Sequence, residues 1–594
     1  MCGIISVLSL KTKIANCLFS SLERLEYRGY DSAGIAYIGI DAKLHRVRSI
    51  GTIDNLKRAA RELSIEGYIG VGHTRWATHG KVTEVNAHPH ICKGVAIVHN
   101  GIVENYQELK KELLKSGYTF ESETDTEVIA KLVASYIDNG IDFQSAFKHA
   151  ISEISGTFAI VAIYEGAPHL LLGVKKGSPM AIGFSKDNQN FYIASDAVAL
   201  STLVENVTYL EEGDFVIAEK RDTLTYKVLD NLWSETSRKS VPNRVSLHDV
   251  EKNGYETFML KEIFEEPKVI RLTFDKFEYN LNTSKHKSIS IIACGTSYYA
   301  GLLAKYWVEE ALKIRVDVEI ASEFRYRDPL LSADTACIFI SQSGETIDTL
   351  SALRLVKSRG YKVIALVNVE SSSIAREADF VIKTEAGIEI GVASTKAFVA
   401  QILSMLMLCT DRNSLAITEI ETSVRTVLNM EKKFIDAARK IMSSNSLFYI
   451  GRGPSYPVAL EGALKMKELS YIPAEGYPAG EIKHGPIAIV DEDVYTVVIA
   501  PLDKYFEKTI SNAQEILARN GKILLLTTEG AKNLSYDFRE NENVDCIFLP
   551  QLSNPVHQPF CLVTAIHLLA YHTSKLMGYD VDKPRNLAKS VTVE

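Results

Sequence analysis

The feature that most limits what this chain can become is an internal repeat in its C-terminal half. Ile291-Ile292-Ala293-Cys294-Gly295-Thr296-Ser297-Tyr298 is echoed by Phe448-Tyr449-Ile450-Gly451-Arg452-Gly453-Pro454-Ser455-Tyr456, and Lys362-Val363-Ile364-Ala365-Leu366 by Lys522-Ile523-Leu524-Leu525-Leu526. The spacing is roughly 160 residues, one domain's length. Around each echo, apolar strands alternate with longer helices: Ser288 to Ala293, a helix to Leu312, Ala336 to Ile340, a helix to Ser358, then Val363 to Val367. That alternation is the pattern of a parallel sheet with helical crossovers, so two copies of one α/β domain are expected.

The first 228 or so residues read differently, with short β-like runs (Val95 to Val98, Phe158 to Ile163, Phe191 to Ala194) between helical patterns such as Asp125 to Tyr136. A polar stretch, Asn231 to Arg244, marks the boundary between the halves and reads as a linker. At 594 residues the chain has room for two to four domains.

Composition narrows the function. A net charge of −8 repels phosphate backbones at long range, which argues against nucleic acid as a partner. No segment approaches the roughly 20 apolar residues a membrane span needs. The N-terminus, Met-Cys-Gly-Ile-Ile-Ser-Val-Leu, lacks the basic region and cleavage site of a secretory signal, so a cytoplasmic protein without disulfides is expected. None of the eight cysteines forms a C-x-x-C pair, and most are expected to be small buried hydrophobes.

Cys2 follows an initiator methionine whose removal is expected. A free α-amine, with an ordinary pKa of about 7.7 to 8.0, would then sit beside the thiol as its base. Three segments supply polar groups near strand ends: His73 to Gly80, Asn86 to His90 and His99 to Asn105. Asn100 followed by Gly101 can offer a side-chain and a backbone donor to a developing oxyanion. Arg75 and Asp125 suit the carboxylate and ammonium of a free amino acid. An Asn-Gly turn and an N-capping Asp125 are the structural alternatives. His73, His79, His90 and His99 read as structural, and without carboxylate clusters at ligand spacing no metal site is expected.

In the repeats, Ile340-Ser341-Gln342-Ser343-Gly344-Glu345-Thr346 follows an apolar strand and opens a helix, where unpaired N–H groups and the helix dipole favour phosphate. Cys294-Gly295-Thr296-Ser297 holds the equivalent place one strand earlier. The second repeat has Pro501-Leu502-Asp503 at the corresponding position, so one phosphate site is expected rather than two. Glu461, Lys465 and Glu468 share a helix face, and spacing alone predicts a solvated ion-pair ladder. Chain ends usually fray, but the ending, Asp582 to Glu594, is rich in specific side chains and could instead close over a site, where a lysine could form a Schiff base with a ketose.

The first 230 residues resemble the class II glutamine amidotransferase domain, an N-terminal-nucleophile hydrolase fold with stacked sheets between helices. The rest, with Cys-Gly-Thr-Ser, Ser-Gln-Ser-Gly-Glu-Thr, Gly-Val-Ala-Ser-Thr-Lys and Lys-Ser-Val-Thr-Val-Glu, resembles two SIS-type doubly wound parallel-sheet domains. The whole chain is thus similar to the glutamine–fructose-6-phosphate aminotransferase (isomerizing) family. The resemblance implies an α/β multidomain protein: glutaminase at 1–230, linker at 231–278, SIS domains at 279–418 and 440–580, and an active-site tail at 581–594.

It further implies Cys2 as nucleophile, Asn100 and Gly101 as oxyanion hole, Arg75, His88 and Asp125 on glutamine, and Trp76 as a gate for ammonia. Ser341, Gln342, Ser343 and Thr346 would hold the phosphate, with Thr296, Ser297, Val392 and Ser394 at the sugar and Lys465 assisting. Lys589 would form the imine with open-chain fructose 6-phosphate, Glu468 would move the proton between C1 and C2, and His484 from a neighbouring subunit would open the ring. Glutamine and fructose 6-phosphate are the implied substrates, glucosamine 6-phosphate the product and first step of amino-sugar synthesis, a homodimer the assembly, and no cofactor is needed. A different acceptor lacks support, since neither a Ser-Gly-Gly-x-Asp-Ser nucleotide loop nor a phosphoribosyl motif is present. A mere sugar-phosphate sensor would need neither Cys2 nor Lys589.

Overall fold

The structure is a computed structural model that describes residues 2–243, 245, 247–279, 286–533, 538 and 540–592; Met1, Arg244, Val593 and Glu594 lie outside them. The chain divides into two compact units, one of residues 1–251 with 588–594 and one of 252–587.

The first unit is built on two antiparallel sheets. One runs, edge to edge, through Ser240–Pro242, Asn206–Tyr209, Ala181–Phe184, Asn190–Ala194, Gly3–Ser9, Gly67–Arg75, Ser32–Gly39 and Leu44–Ile50. The other runs through Glu235–Thr236, Leu224–Leu229, Phe215–Lys220, Leu170–Lys176, Gly156–Tyr164, Val95–Val103 and His90–Cys92. Alternation along the strands explains why they stack. In Gly3–Ser9, Ile4 and Leu8 meet Val98 and Val161 of the other sheet, while Ile5 and Val7 face Leu18, Leu22 and Leu25 of the helix Ala15–Leu25. The outer face of the second sheet is covered by the helices Thr126–Asp138 and Phe143–Glu153 through Val128, Ile129, Leu132 and Phe147. The result is four layers, two sheets between helices.

The second unit holds two five-stranded parallel sheets. Their orders are Arg315–Ile320, Ser288–Ala293, Thr335–Ser341, Val363–Val367, Phe380–Lys383 and Ala474–Pro478, Ser446–Gly451, Val494–Ile499, Lys522–Thr528, Val544–Leu549. In each, the second and third strands by position are the first and third in chain order, so the topology is the same in both repeats. One apolar core runs through both. Ile291, Leu303 and Trp307 of the first share it with Val458, Met466 and Ile566 of the second, and Trp307 stacks on Phe560 with ring centroids 6.4 Å apart.

Two expectations need correction. The stretch expected as a linker is woven into the folded units. Glu235–Thr236 pairs with Leu224–Leu229, Ser240–Pro242 pairs with Asn206–Tyr209, and the helices Phe258–Phe264 and Glu266–Lys276 place Met259, Ile263 and Ile270 in the second unit's core. Its polar residues are those of exposed edge strands, which composition does not separate from loop. The cysteines are also less buried than expected: Cys337 and Cys561 are fully buried, and the other six, none in a disulfide, are half-buried. No helix among the described residues is long and apolar enough to cross a membrane.

Candidate functional site

Cys2 heads the strand Gly3–Ser9, whose partner Gly67–Arg75 ends beside it, with Gly3 opposite Thr74. The Sγ accepts the Trp76 backbone N–H at 3.2 Å, and the Cys2 carbonyl accepts Asn100 Nδ2 at 2.9 Å and Arg28 Nε at 3.3 Å. Arg28 is buried and anchored on Asp196 at 2.6 Å, which also takes the Tyr27 hydroxyl at 2.7 Å. The Cys2 carbonyl is therefore held by two side chains, one of them buried. Burial pushes the Cys2 thiol up, outweighing the Trp76 N–H and Arg75, which pull it down, so at rest the thiol keeps its proton and needs a base to lose it.

Asn100 has only one useful orientation, and His73 sets it. His73 Nε2 lies 3.0 Å from the His99 carbonyl and 3.1 Å from Asn100 Oδ1. Both partners are oxygens, which assigns the proton to Nε2 and turns the Asn100 amide so that its N–H₂ faces Cys2. His73, expected to be structural, thus orients the side chain of Asn100. The next residue, Gly101, has φ 127°, and a Cβ there would stand 2.0 Å from the Thr157 carbonyl oxygen. Gly101→Ala is expected to destabilise the first unit by roughly 3 kcal/mol, combining backbone strain with overpacking. A thermal unfolding midpoint unchanged from wild type would contradict this.

Arg75 is turned toward the loop that follows it, donating to the carbonyls of His79, Gly80 (3.3 Å) and Lys81 (3.3 Å). Asp125 is buried, accepts the Val103 N–H at 2.8 Å, and pulls electrostatically on Arg75. Trp76 is half-buried and stands edge-on to Tyr30, with centroids 5.9 Å apart. His88 packs on His73 at 4.1 Å and on His90 at 4.9 Å. Cys2, Arg28, Trp76, Asn100 and Gly101 line one pocket, which Ala588, Ser590, Val591 and Thr592 of the C-terminal tail also line.

The buried imidazoles are neutral. Burial pushes His73 down to about 3, and pushes His88 and His90 well below the ordinary 6.5. Between those values the unfolded chain binds protons that the folded one refuses, so stability rises with pH across this window and is lost as pH falls through 6.5. Each group costs up to about 1.4 kcal/mol per pH unit. The first unit's thermal midpoint is expected to be level at alkaline pH and to drop below this threshold; a flat midpoint down to about pH 4 would contradict it.

In the second unit, Ser341 ends the strand Thr335–Ser341 and its Oγ accepts the Gly344 N–H at 3.0 Å and pairs with Thr346 Oγ1 at 3.0 Å. Ser343 Oγ accepts the Glu345 N–H at 3.2 Å, and the loop opens the twelve-residue helix Ile347–Ser358. Gly344 has φ 64°, and a Cβ there would lie 1.9 Å from Ser372 Oγ, so the tight turn requires glycine. This is a loop of hydroxyls at a helix N-terminus, suited to phosphate. The Gln342 carbonyl accepts the Asn368 N–H at 3.2 Å. Ser297 accepts from Gln401 at 3.0 Å, Ser394 donates to Glu389 at 3.0 Å, and the Val392 N–H donates to the Asp582 carbonyl at 3.3 Å.

Glu461, Lys465 and Glu468 are not the solvated ladder their spacing predicted. Glu461 is 0% exposed and Lys465 1%, because their helix Ser455–Ser470 is packed between the helices Gly295–Leu312 and Pro559–Leu576. Lys465 Nζ is 2.5 Å from Glu468 and 3.6 Å from Glu461, and Thr296 donates to Glu461 at 3.2 Å. His484 is exposed at the end of the short turn Ala479–His484, outside this hydrogen-bonded group. Lys589 belongs to the first unit, on the tail segment that lines the Cys2 pocket. Among the described residues no group of three or more His, Cys, Asp or Glu is placed to hold a metal ion.

Comparison with known proteins finds two families along the chain. The SIS domain family matches residues 283–410 and 440–572, and the glutamine amidotransferase domain family matches 73–202. Over their full lengths, the chain is 45% identical to a glutamine–fructose-6-phosphate aminotransferase (isomerizing) of Bartonella henselae and 44% identical to one of Zymomonas mobilis. The solved C-terminal domain of the glucosamine–fructose-6-phosphate aminotransferase of Francisella tularensis is 38% identical, covers 56% of this chain and 99% of its own, and superposes with a TM-score of 0.52. Full-length identity at this level, over a fold of two antiparallel sheets between helices followed by two like parallel-sheet repeats, settles the assignment: the chain belongs to the glutamine–fructose-6-phosphate aminotransferase (isomerizing) family.

Proposed function

We propose that this chain converts glutamine and fructose 6-phosphate into glutamate and glucosamine 6-phosphate. The observation that carries the reading is Asn100, whose amide is turned by His73 to face Cys2 beside the obligatory Gly101. With Met1 removed, the Cys2 α-amine takes the thiol proton and the sulfur attacks the glutamine carboxamide carbon. Asn100 Nδ2 and the Gly101 N–H meet the oxyanion, the C–N bond breaks, and the proton passes to the departing ammonia. Water then cleaves the thioester to glutamate. Arg75 pairs with the substrate's carboxylate, Asp125 with its ammonium, and His88 closes the pocket wall; Trp76 gates the ammonia.

In the sugar half-reaction Ser341, Gln342, Ser343 and Thr346 hold the phosphate, and Thr296, Ser297, Val392 and Ser394 surround the sugar. Lys589 condenses with the C2 ketone, losing water, and ammonia displaces it. Glu468 removes the C1 proton and returns it at C2, with the Lys465 ammonium balancing the charge that develops. The working form is a cytoplasmic homodimer in which the exposed His484 of one copy opens the ring at the site of the other. No cofactor takes part.

The test is incubation of the purified protein with both substrates and with each alone. Glucosamine 6-phosphate is expected only when both are present; its absence while glutamate still accumulates would overturn the acceptor.

A further inference from the structure

Glu461 has no place in the reaction scheme above, yet it is fully buried beside Lys465. Its Oε1 takes the Thr296 hydroxyl at 3.2 Å and lies 3.6 Å from Lys465 Nζ, while its buried Oε2 has no hydrogen-bond partner among the described residues. Behind it, on the helix Pro559–Leu576, stands a second buried pair. His567 Nδ1 is 2.7 Å from Glu266 Oε1, the other Glu266 oxygen takes the Thr564 hydroxyl at 2.6 Å, and His567 Nε2 is likewise unpartnered. His567 and Glu461 attract each other electrostatically. An apolar residue would fill the site without desolvating a carboxylate, so retaining one here has a physical cost that a merely structural position does not require.

We infer that Glu461 is a positioning residue for the isomerisation, steering the Lys465 ammonium on and off Glu468 while its hydrogen bond to Thr296 ties the two repeats at the sugar. This rests on the sugar-phosphate reading of the second unit. Lys465 is the shared element. When Glu461 is neutral, the ammonium is committed to Glu468 and holds its lone pairs; when Glu461 is ionised, Lys465 is divided between two carboxylates and Glu468 is freed to act as base. The groups facing Glu461 are Lys465 and Glu468 on its own helix, Thr296 and Tyr299 on Gly295–Leu312, and His567 with Glu266 behind it; Glu389 faces Lys465. Burial dominates, outweighing the pull of Lys465 and His567, and lifts Glu461 to about 7. The exchange therefore falls near neutrality, with the base freed as pH rises.

The experiment follows the isomerisation of fructose 6-phosphate to glucose 6-phosphate by the full chain without glutamine, the outcome when no ammonia displaces the lysine. The wild type, Glu461→Gln, Glu461→Asp and Glu468→Gln are compared across pH 5.5 to 9. Glu461→Gln keeps the size and the acceptor for Thr296. It is expected to lower kcat by about 10²-fold with KM for the sugar nearly unchanged, and to erase an inflection that the wild type shows near neutrality. Glu461→Asp restores the inflection. If Glu461→Gln leaves both kcat and the inflection intact while Glu468→Gln is inactive, the inference fails and the sugar reading stands. If Glu468→Gln is fully active, the sugar reading itself fails. Thermal midpoints taken alongside separate lost folding from lost function.

Discussion

Cys2→Ala abolishes formation of glucosamine 6-phosphate from glutamine while the variant still isomerises fructose 6-phosphate. The expected loss in glutamine hydrolysis is roughly 10⁴-fold or more, since removing a nucleophile leaves only binding and oxyanion stabilisation. The change is isolated because Cys2 is held through its backbone: Asn100 and Arg28 bind its carbonyl, and its strand pairs through Gly3 and beyond. Only the weak contacts of Sγ with the Trp76 N–H and carbonyl are lost. Parallel assays of glutamate release and of ketose-to-aldose conversion check this. A variant that still hydrolyses glutamine at a comparable rate would remove Cys2 from the chemistry.

Lys589→Ala has the opposite effect: the sugar chemistry falls by at least about 10³-fold, a modest share of the advantage of a held over a free amine, and glutamine hydrolysis persists. Borohydride added to the wild type with fructose 6-phosphate should fix the sugar to Lys589, seen as an added sugar phosphate on the C-terminal peptide, and no such adduct should form in the variant. The tail position makes this a sharp test, because Ala588, Ser590, Val591 and Thr592 line the Cys2 pocket. If the tail served only to cover that pocket, Lys589→Ala would instead alter glutamine hydrolysis and leave the isomerisation untouched.

The fold was legible where local pattern and tertiary need agree. The echo of Ile291–Tyr298 in Phe448–Tyr456 identified two repeats, and the sheet of each repeat is parallel as strand–helix alternation requires. The groups that the structure gathers into the candidate sites were legible where residue type stands out: a thiol at position 2, Asn-Gly at 100–101, hydroxyls opening a helix at 341–346. What escaped was whatever depends on a partner far along the chain. Glu461, Lys465 and Glu468 show the same spacing whether their helix is solvated or sandwiched; burial comes from packing against Gly295–Leu312 and Pro559–Leu576. His73 and Asn100 lie on strands of different sheets, and Arg28 reaches both Cys2 and, 168 residues on, Asp196. The polar stretch after Asn231 looked like linker because edge strands and loops share a composition.

If this chain carries out both half-reactions, the amide nitrogen of glutamine becomes the amino group of the sugar. The most direct test supplies glutamine labelled with ¹⁵N at the amide, together with fructose 6-phosphate and excess unlabelled ammonium, and follows the nitrogen by mass spectrometry. One labelled glucosamine 6-phosphate is expected for each glutamate released. Glutamate accumulating beside unlabelled amino sugar, or beside none, would contradict it.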